Sequence, residues 1–196
     1  RKDPEKNPIS TPSGKIEIYS ETVDSFNYED CPGHPAWLEQ KEWLGSNLTK
    51  QYPLQLISGQ PHNRLHSQLD NGSESQSYKI LGREPIKIHP QDAQSRRLVD
   101  GDIVEVFNKR GKCLAGVIVS NEVMKGVVFL PVGAWYDPIN DGEFCIHGNP
   151  NVLTEDIGTS SLAQGPSAHS TLVEIKKYTK ELPEINILHK PNIVNK

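Results

Sequence analysis

The chain has 196 residues, 35% hydrophobic and 23% charged, with a formal net charge of -4 at pH 7. That length suits one domain of ordinary size with extra arms, not two full domains. No apolar run approaches the roughly 20 residues needed to cross a bilayer, and the acidic balance leaves no basic field for a polyanion, so a membrane span and nucleic-acid binding are set aside.

The chain begins Arg1-Lys2-Asp3-Pro4 and its one methionine, Met124, is internal. With neither an initiator methionine nor a signal peptide at the start, we expect a segment of a longer protein. Residues 1–50 carry Pro4, Pro8, Pro12, Pro32 and Pro35 among polar residues and predict an arm rather than a domain. Within it Lys15 to Ser20 alternates as a short exposed strand would. Trp37, Leu38, Trp43 and Leu44 are the expected contacts of this arm with a neighbouring domain.

From Tyr52 onward short strands are predicted at regular intervals. Pro53 to Ser58, Pro85 to His89 and Asp102 to Asn108 alternate, and Lys112 to Ser120 returns after the Lys109-Arg110-Gly111 turn. Pro90 to Arg97 starts with proline and ends in cations, the pattern of a short helix. Val127 to Val132 is continuously apolar, as a fully buried strand is, and Thr171 to Tyr178 alternates again. About six strands and one short helix result: a small, mainly β barrel with short helices over residues 51–180, followed by a tail at 181–196.

Two segments carry the chemistry. Ser58 to Gln68 follows a strand directly and concentrates Gly59, Gln60, His62, Asn63, Arg64, His66 and Ser67, an inventory of amides, imidazoles and a guanidinium fork that suits phosphates and polar heterocycles. Cys145 to Pro166 is dense in glycine and small polar residues and is expected to be an ordered binding loop outside the core. Two such loops in one small domain favour a ligand over local turn chemistry. Asn149 and Asn151 nevertheless have the ordinary reading of Asx turns around Pro150, and Trp135 and Tyr136 are read as core rather than site. Cys31, Cys113 and Cys145 are widely spaced with no CxxC, so no disulfide framework and no metal is assigned.

The order Thr11 to Glu17, Pro53 to Gln68, Val99-Asp100-Gly101-Asp102, Gly133 to Pro138 and His147 to Pro166 closely resembles the C-terminal cofactor-binding domain of the molybdopterin oxidoreductases. Within them it is most similar to the dimethyl sulfoxide, trimethylamine N-oxide and biotin sulfoxide reductase branch. The resemblance runs to about Tyr178. It implies a double-psi β-barrel of the aspartate decarboxylase-like type, which helps to enclose a molybdenum bis(molybdopterin guanine dinucleotide) shared with upstream domains. On the matching motifs it nominates Gln60, His62, Arg64, His66 and Ser67 from the first loop as cofactor contacts. From the second it nominates Asn149, Asn151 and Gln164, with Gly148, Gly158 and Gly165 allowing close backbone approach.

The activity implied is reduction of a small S-oxide or N-oxide by oxygen-atom transfer, with a cytochrome or another donor supplying electrons. The metal's protein ligand belongs to upstream domains in that family, so no catalytic residue is assigned and the chain alone is expected to be inert. Family analogy favours the periplasm over the cytoplasm. The same barrel type also serves as a cofactor-free adaptor module in some ATPases. It serves too in a pyruvoyl-dependent decarboxylase that cuts itself at a Gly-Ser bond, for which Gly45-Ser46 and Gly72-Ser73 lie outside the matching context.

Overall fold

In a computed structural model of the chain, residues 3–139, 142 and 144–190 are described; the last stretch of the expected tail, 191–196, lies outside them. The chain divides into two compact units, one of residues 1–39 with 157–167 and one of 40–156 with 168–196.

The larger unit is built on eight strands among the described residues: β1 (Leu54–Ile57), β2 (Pro85–Ile88), β3 (Ile103–Phe107), β4 (Lys112–Val119), β5 (Val127–Phe129), β6 (Pro138–Ile139), β7 (Phe144–Cys145) and β8 (Leu172–Lys177). Six of them close into a ring in the order β2, β5, β1, β8, β3, β4, with β4 pairing back to β2. Two pairings in the ring, β1 with β5 and β2 with β4, are parallel and join strands distant in sequence. Those crossed parallel pairs make the ring the expected double-psi barrel. The two-residue strands β6 and β7 extend it beyond β4.

Successive side chains of a strand point to opposite faces, which separates two apolar clusters here. Leu54, Leu56, Ile86, Ile88, Val104, Val106, Cys113, Ala115, Val117, Val128, Val173 and Ile175 fill the barrel. Their immediate neighbours Ile103, Leu114 and Phe144 instead face outward with Ile146, where Ile80, Ile139, Tyr178, Leu182 and Ile185 cover them. The described part of the tail is therefore packed rather than free. Asp137 accepts the backbone N–H groups of Asn186 (2.7 Å) and Ile187 (3.1 Å), and Arg83 donates to the Pro183 carbonyl.

The predicted helix forms as α3 (Pro90–Ser95), with proline in its first turn and the His89 imidazole accepting from Gln91 N–H as its cap. Its Ala93, with Leu98 just beyond, is buried against the barrel core. Two further short α-helices occur among the described residues, α1 (Glu21–Asp24) and α2 (Ser73–Ser77). Their lengths of 4 and 5 residues give no amphipathic period to read.

Three expectations are corrected. Cys145 to Pro166 is not a loop throughout: Cys145, Ile146, His147 and Leu153 have no exposed surface, and Cys145 and Leu153 belong to the barrel core. Lys15 to Ser20 forms no strand among the described residues, and Ile16 and Ile18 are 87% and 81% exposed. Alternation marks a surface able to join a sheet, but a strand needs a neighbour to complete its ladder. Trp135 and Tyr136 are not core, Trp135 being partly exposed and Tyr136 exposed.

The smaller unit holds α1 and a hairpin-like loop. In that loop Thr159 N–H donates to Gly165 O (2.8 Å) and Ser160 N–H to Ala163 O (3.0 Å), while Ser161 is held by Asp30 through its N–H (2.8 Å) and hydroxyl (3.1 Å). Residues 40–50 go with the barrel unit, where Glu42 grips Arg110 through both carboxylate oxygens.

Candidate cofactor-binding site

Because β1 and β5 run parallel, the segments leaving their C-terminal ends emerge side by side. The first is residues 58–68 and the second 131–136, joined by Val132 N–H to Gly59 O at 3.0 Å. A third segment, 146–153, follows β7 and turns through a short 3-10 helix (Pro150–Val152). Loops at strand C-terminal ends are the usual place for ligands in sheets with parallel crossovers.

The middle segment is held by side chains from both others and from the chain between them. Arg64 donates to Val132 O (2.8 Å), Asn149 Nδ2 to Ala134 O (2.9 Å), and Asp70 accepts Trp135 N–H (2.8 Å). Trp135 returns a bond from its indole N–H to Ser67 O at 2.7 Å. Gly133 sits at the crossing with a φ of +95°, and a Cβ there would collide with the His66 carbonyl. Gly148, at φ +97°, is needed in the same way, since a Cβ would lie 2.6 Å from that of Glu84.

Below the loops lies a ring of alternating buried charges. Lys79 Nζ bridges Asp70 Oδ1 (2.9 Å) and Glu84 Oε2 (2.7 Å), while Arg64 meets Glu84 Oε1 (2.9 Å) and stands 3.7 Å from Asp70; all four side chains are at most 2% exposed. Burial pushes Asp70 toward protonation, but the Lys79 hydrogen bond and the Trp135 N–H outweigh it and hold the carboxyl below its usual range. His147, fully buried beside the ring, is held neutral: burial and then the Lys79 charge lower its proton affinity. It is neutral at pH 7, and since the Trp135 carbonyl only accepts, Nδ1 carries the proton given to it at 3.0 Å. Its Nε2 is then a bare acceptor, buried without a partner among the described residues, as is the Ser58 hydroxyl.

The nominated residues fall into distinct places. Gln60 and His66 are exposed and bonded to each other, side chain to ring at 2.8 Å and His66 N–H to Gln60 Oε1 at 3.1 Å. His66 has a φ of +51°. Gln60 and His62 line a cavity of about 370 Å³ with Asn63, Tyr78, Phe129 and Pro131. Ser67 is exposed and its carbonyl is the acceptor of the Trp135 indole. Asn149 caps the 3-10 helix, accepting Asn151 N–H at 2.9 Å, and shares a hollow with Asn151, Tyr136 and Val152. Arg64 lies under its loop rather than on it, with its side chain 1% exposed. Gln164 belongs to the smaller unit, where it is exposed and donates to Ser160 O at 3.1 Å. Sequence reasoning missed Asp70, Lys79, Glu84 and the anchoring role of Trp135. Nothing local marks them, because charges at those spacings read as solvated surface until the fold buries them.

A closed double-psi barrel with three converging polar loops defines a cofactor-binding module. The family model described as "Molydopterin dinucleotide binding domain" matches residues 54–172, and the chain belongs to that family. It is 49% identical over 99% of its length to the trimethylamine-N-oxide reductase of Haemophilus influenzae, covering 24% of that protein. It is 47% identical over 91% of its length to the dimethyl sulfoxide/trimethylamine N-oxide reductase of Rhodobacter capsulatus, covering 22% of it. Among solved structures, acetylene hydratase from Pelobacter acetylenicus superposes with a TM-score of 0.71 over 87% of this chain and 24% of its own, at 22% identity, which speaks for the fold alone. The chain spans about a quarter of the length of these relatives. No helix of the described residues is long and apolar enough to cross a membrane.

The site's chemistry fits the ligand class named by the family. Amide side chains at Gln60, Asn63, Asn149 and Asn151 donate and accept together. The unmet acceptor of His147 and hydroxyl of Ser58 add polar atoms for a ring-rich, hydroxylated dinucleotide to satisfy.

Proposed function

We propose that this chain is the cofactor-binding barrel of a molybdenum reductase acting on small N-oxides or S-oxides by oxygen-atom transfer, with bis(molybdopterin guanine dinucleotide) shared with further domains of the same enzyme. The observation that carries this reading is near-50% identity, over almost the whole chain, to reductases named for trimethylamine N-oxide. When bound, the molybdenum cofactor supplies the redox and oxygen-transfer chemistry, and the protein supplies binding and orientation.

In this reading Gln60, His62, His66 and Ser67 contact the cofactor from one loop, and Asn149 and Asn151 from another, while Arg64 supports the first loop from beneath. Gln164, in the smaller unit, is nominated by the family resemblance. The chain's own residues perform no proton transfer or bond cleavage, so isolated it has no reductase activity. The reading includes an electron donor such as a cytochrome and a periplasmic location, both by analogy with the reductase branch. No observation favours a cofactor-free adaptor.

The test is on the full-length parent. Molybdenum and acid-released guanine nucleotide are measured in the wild type and in His66→Ala and Gln164→Ala, with reduced-viologen turnover of trimethylamine N-oxide and dimethyl sulfoxide. Depleted cofactor in folded variants supports the reading. Full occupancy and unchanged turnover in both removes those contacts, and a wild type free of molybdenum removes the function.

A further inference from the structure

The ring of Arg64, Glu84, Lys79 and Asp70 is not symmetric in what it touches. Arg64 reaches out to Val132 O, Asp70 to Trp135 N–H, and the Glu84 backbone N–H to His147 O at 3.1 Å. Lys79 spends its charged group entirely on the ring, on Asp70 and Glu84, as Glu84 spends its carboxylate on Arg64 and Lys79. Asp70 depends on it more than Glu84 does, since Arg64 stands 2.9 Å from Glu84 but 3.7 Å from Asp70. The other groups facing Asp70 are the Ser75 hydroxyl (3.2 Å) and the His147 ring (3.7 Å), neither of which supplies a charge at neutral pH.

We propose that Lys79 is a positioning residue for the cofactor loops: by balancing the buried carboxylates it keeps Asp70 ionised on Trp135 N–H and so fixes residues 132–135 against the loops at 58–68 and 147–151. The inference rests on the cofactor reading above. Without the Lys79 ammonium, two buried carboxylates share one cation, and the uncompensated charge is relieved only by taking up a proton, by shifting the loop, or by admitting water. Asp70 and His147 both gain proton affinity when Lys79 is removed, so lower pH restores neutrality and higher pH exposes the defect.

Three variants of the full-length parent test this: Lys79→Met, Asp70→Asn and the double variant. Molybdenum and guanine nucleotide per chain are read after dialysis at pH 6 and pH 8, with the thermal midpoint at each pH and KM and kcat for trimethylamine N-oxide. Lys79→Met is expected to lose cofactor by about tenfold at pH 8, the scale of supporting residues around a bound group, and much less at pH 6. The double variant keeps an acceptor for Trp135 N–H and leaves Arg64 paired with Glu84, so it is expected to regain most of the cofactor at pH 8. A residue that merely filled space would show neither the pH dependence nor the rescue.

Wild-type occupancy in Lys79→Met at both pH values overturns the proposal, as does a double variant no better than the single. If Lys79→Met does not fold, the double variant decides alone: folded and loaded supports charge balance, unfolded or empty refutes it. A wild-type parent without cofactor defeats the functional reading instead. The ring is then judged by the thermal midpoint, which must fall in Lys79→Met more at pH 8 than at pH 6 and return in the double variant.

Discussion

Glu42 and Arg110, 68 positions apart in sequence, meet as a two-pronged ion pair with N···O distances of 2.6 and 2.9 Å. The pair also joins two other segments. Glu42 Oε2 accepts Leu172 N–H at 2.9 Å, where β8 begins, and Arg110 Nε donates to Leu153 O at 2.7 Å, just past the 3-10 helix of the site. Asn108 adds a second donor to the Leu153 carbonyl at 2.8 Å.

Replacing one partner leaves the other poorly solvated. Glu42→Gln is expected to lower stability by about 2–3 kcal/mol, below the full cost of an orphaned buried charge because Arg110 keeps some solvent contact. Urea denaturation measures it, and a loss under about 0.5 kcal/mol, the scale of an ordinary exposed pair, contradicts the structure.

Gly133→Ala and Gly101→Ala separate close approach from backbone strain. Both positions have positive φ, +95° and +83°, but a Cβ at Gly101 meets nothing within 4 Å while one at Gly133 strikes the His66 carbonyl. Strain alone costs about 1 kcal/mol at Gly101. At Gly133 the loop must also move, for a loss of about 3 kcal/mol or more. Equal thermal shifts in the two variants would show that the loops at 58–68 and 131–136 are not in contact.

Asn149→Ala removes both the cap on Asn151 N–H and the bond to Ala134 O. The expected stability loss is about 1–2 kcal/mol, accompanied in the parent enzyme by lower molybdenum content. Asn149→Asp keeps the cap acceptor but not the donor to Ala134 O. It therefore recovers part of the stability and less of the cofactor, which calorimetry and metal analysis distinguish.

Acid weakens the fold from a definite side. Burial raises the proton affinity of Asp70 and of Glu42, but Lys79 and Trp135 N–H for the first, and Arg110 and Leu172 N–H for the second, bring both below their ordinary values. A carboxyl depressed in the folded state stabilises it above the unfolded pKa, and that contribution disappears as pH falls through the folded value. The unfolding free energy is thus expected to be flat in this respect from pH 6 to 8 and to drop below about pH 4. Lys79→Met raises the folded-state proton affinity of Asp70, so the Asp70 part of the drop is lost and the variant is expected to be more stable at pH 6 than at pH 8, as a denaturant series across pH would record.

Most of the barrel was legible because strand periodicity and turn residues are local. Pro53 to Ser58 and Pro85 to His89 alternate as half-buried strands must, and the Pro90 helix carries its own start signal. The ligand class was legible too, through long ordered motifs in the two polar loops. Other features were not. Ile16 and Ile18 alternate as a strand does, yet only a neighbouring strand decides whether a ladder forms. Cys145 to Leu153 looks like loop by composition, yet parallel pairing of β7 with β4 draws its first residues into the core.

The sequence by itself determined the strands, the helix start, and the polar inventory of the loops after β1 and β7, since each depends on residues within a few positions of one another. Tertiary structure alone decided that Arg64 works beneath its loop, that Asp70, Lys79 and Glu84 form a buried ring with it, and that Trp135 is gripped from several sides. The contacts of Arg64 with Val132 and of Trp135 with Ser67 and Asp70 join residues more than sixty positions apart, and in the ring, though its members lie close in sequence, a charged side chain has no fixed role until the fold removes its water and supplies a partner.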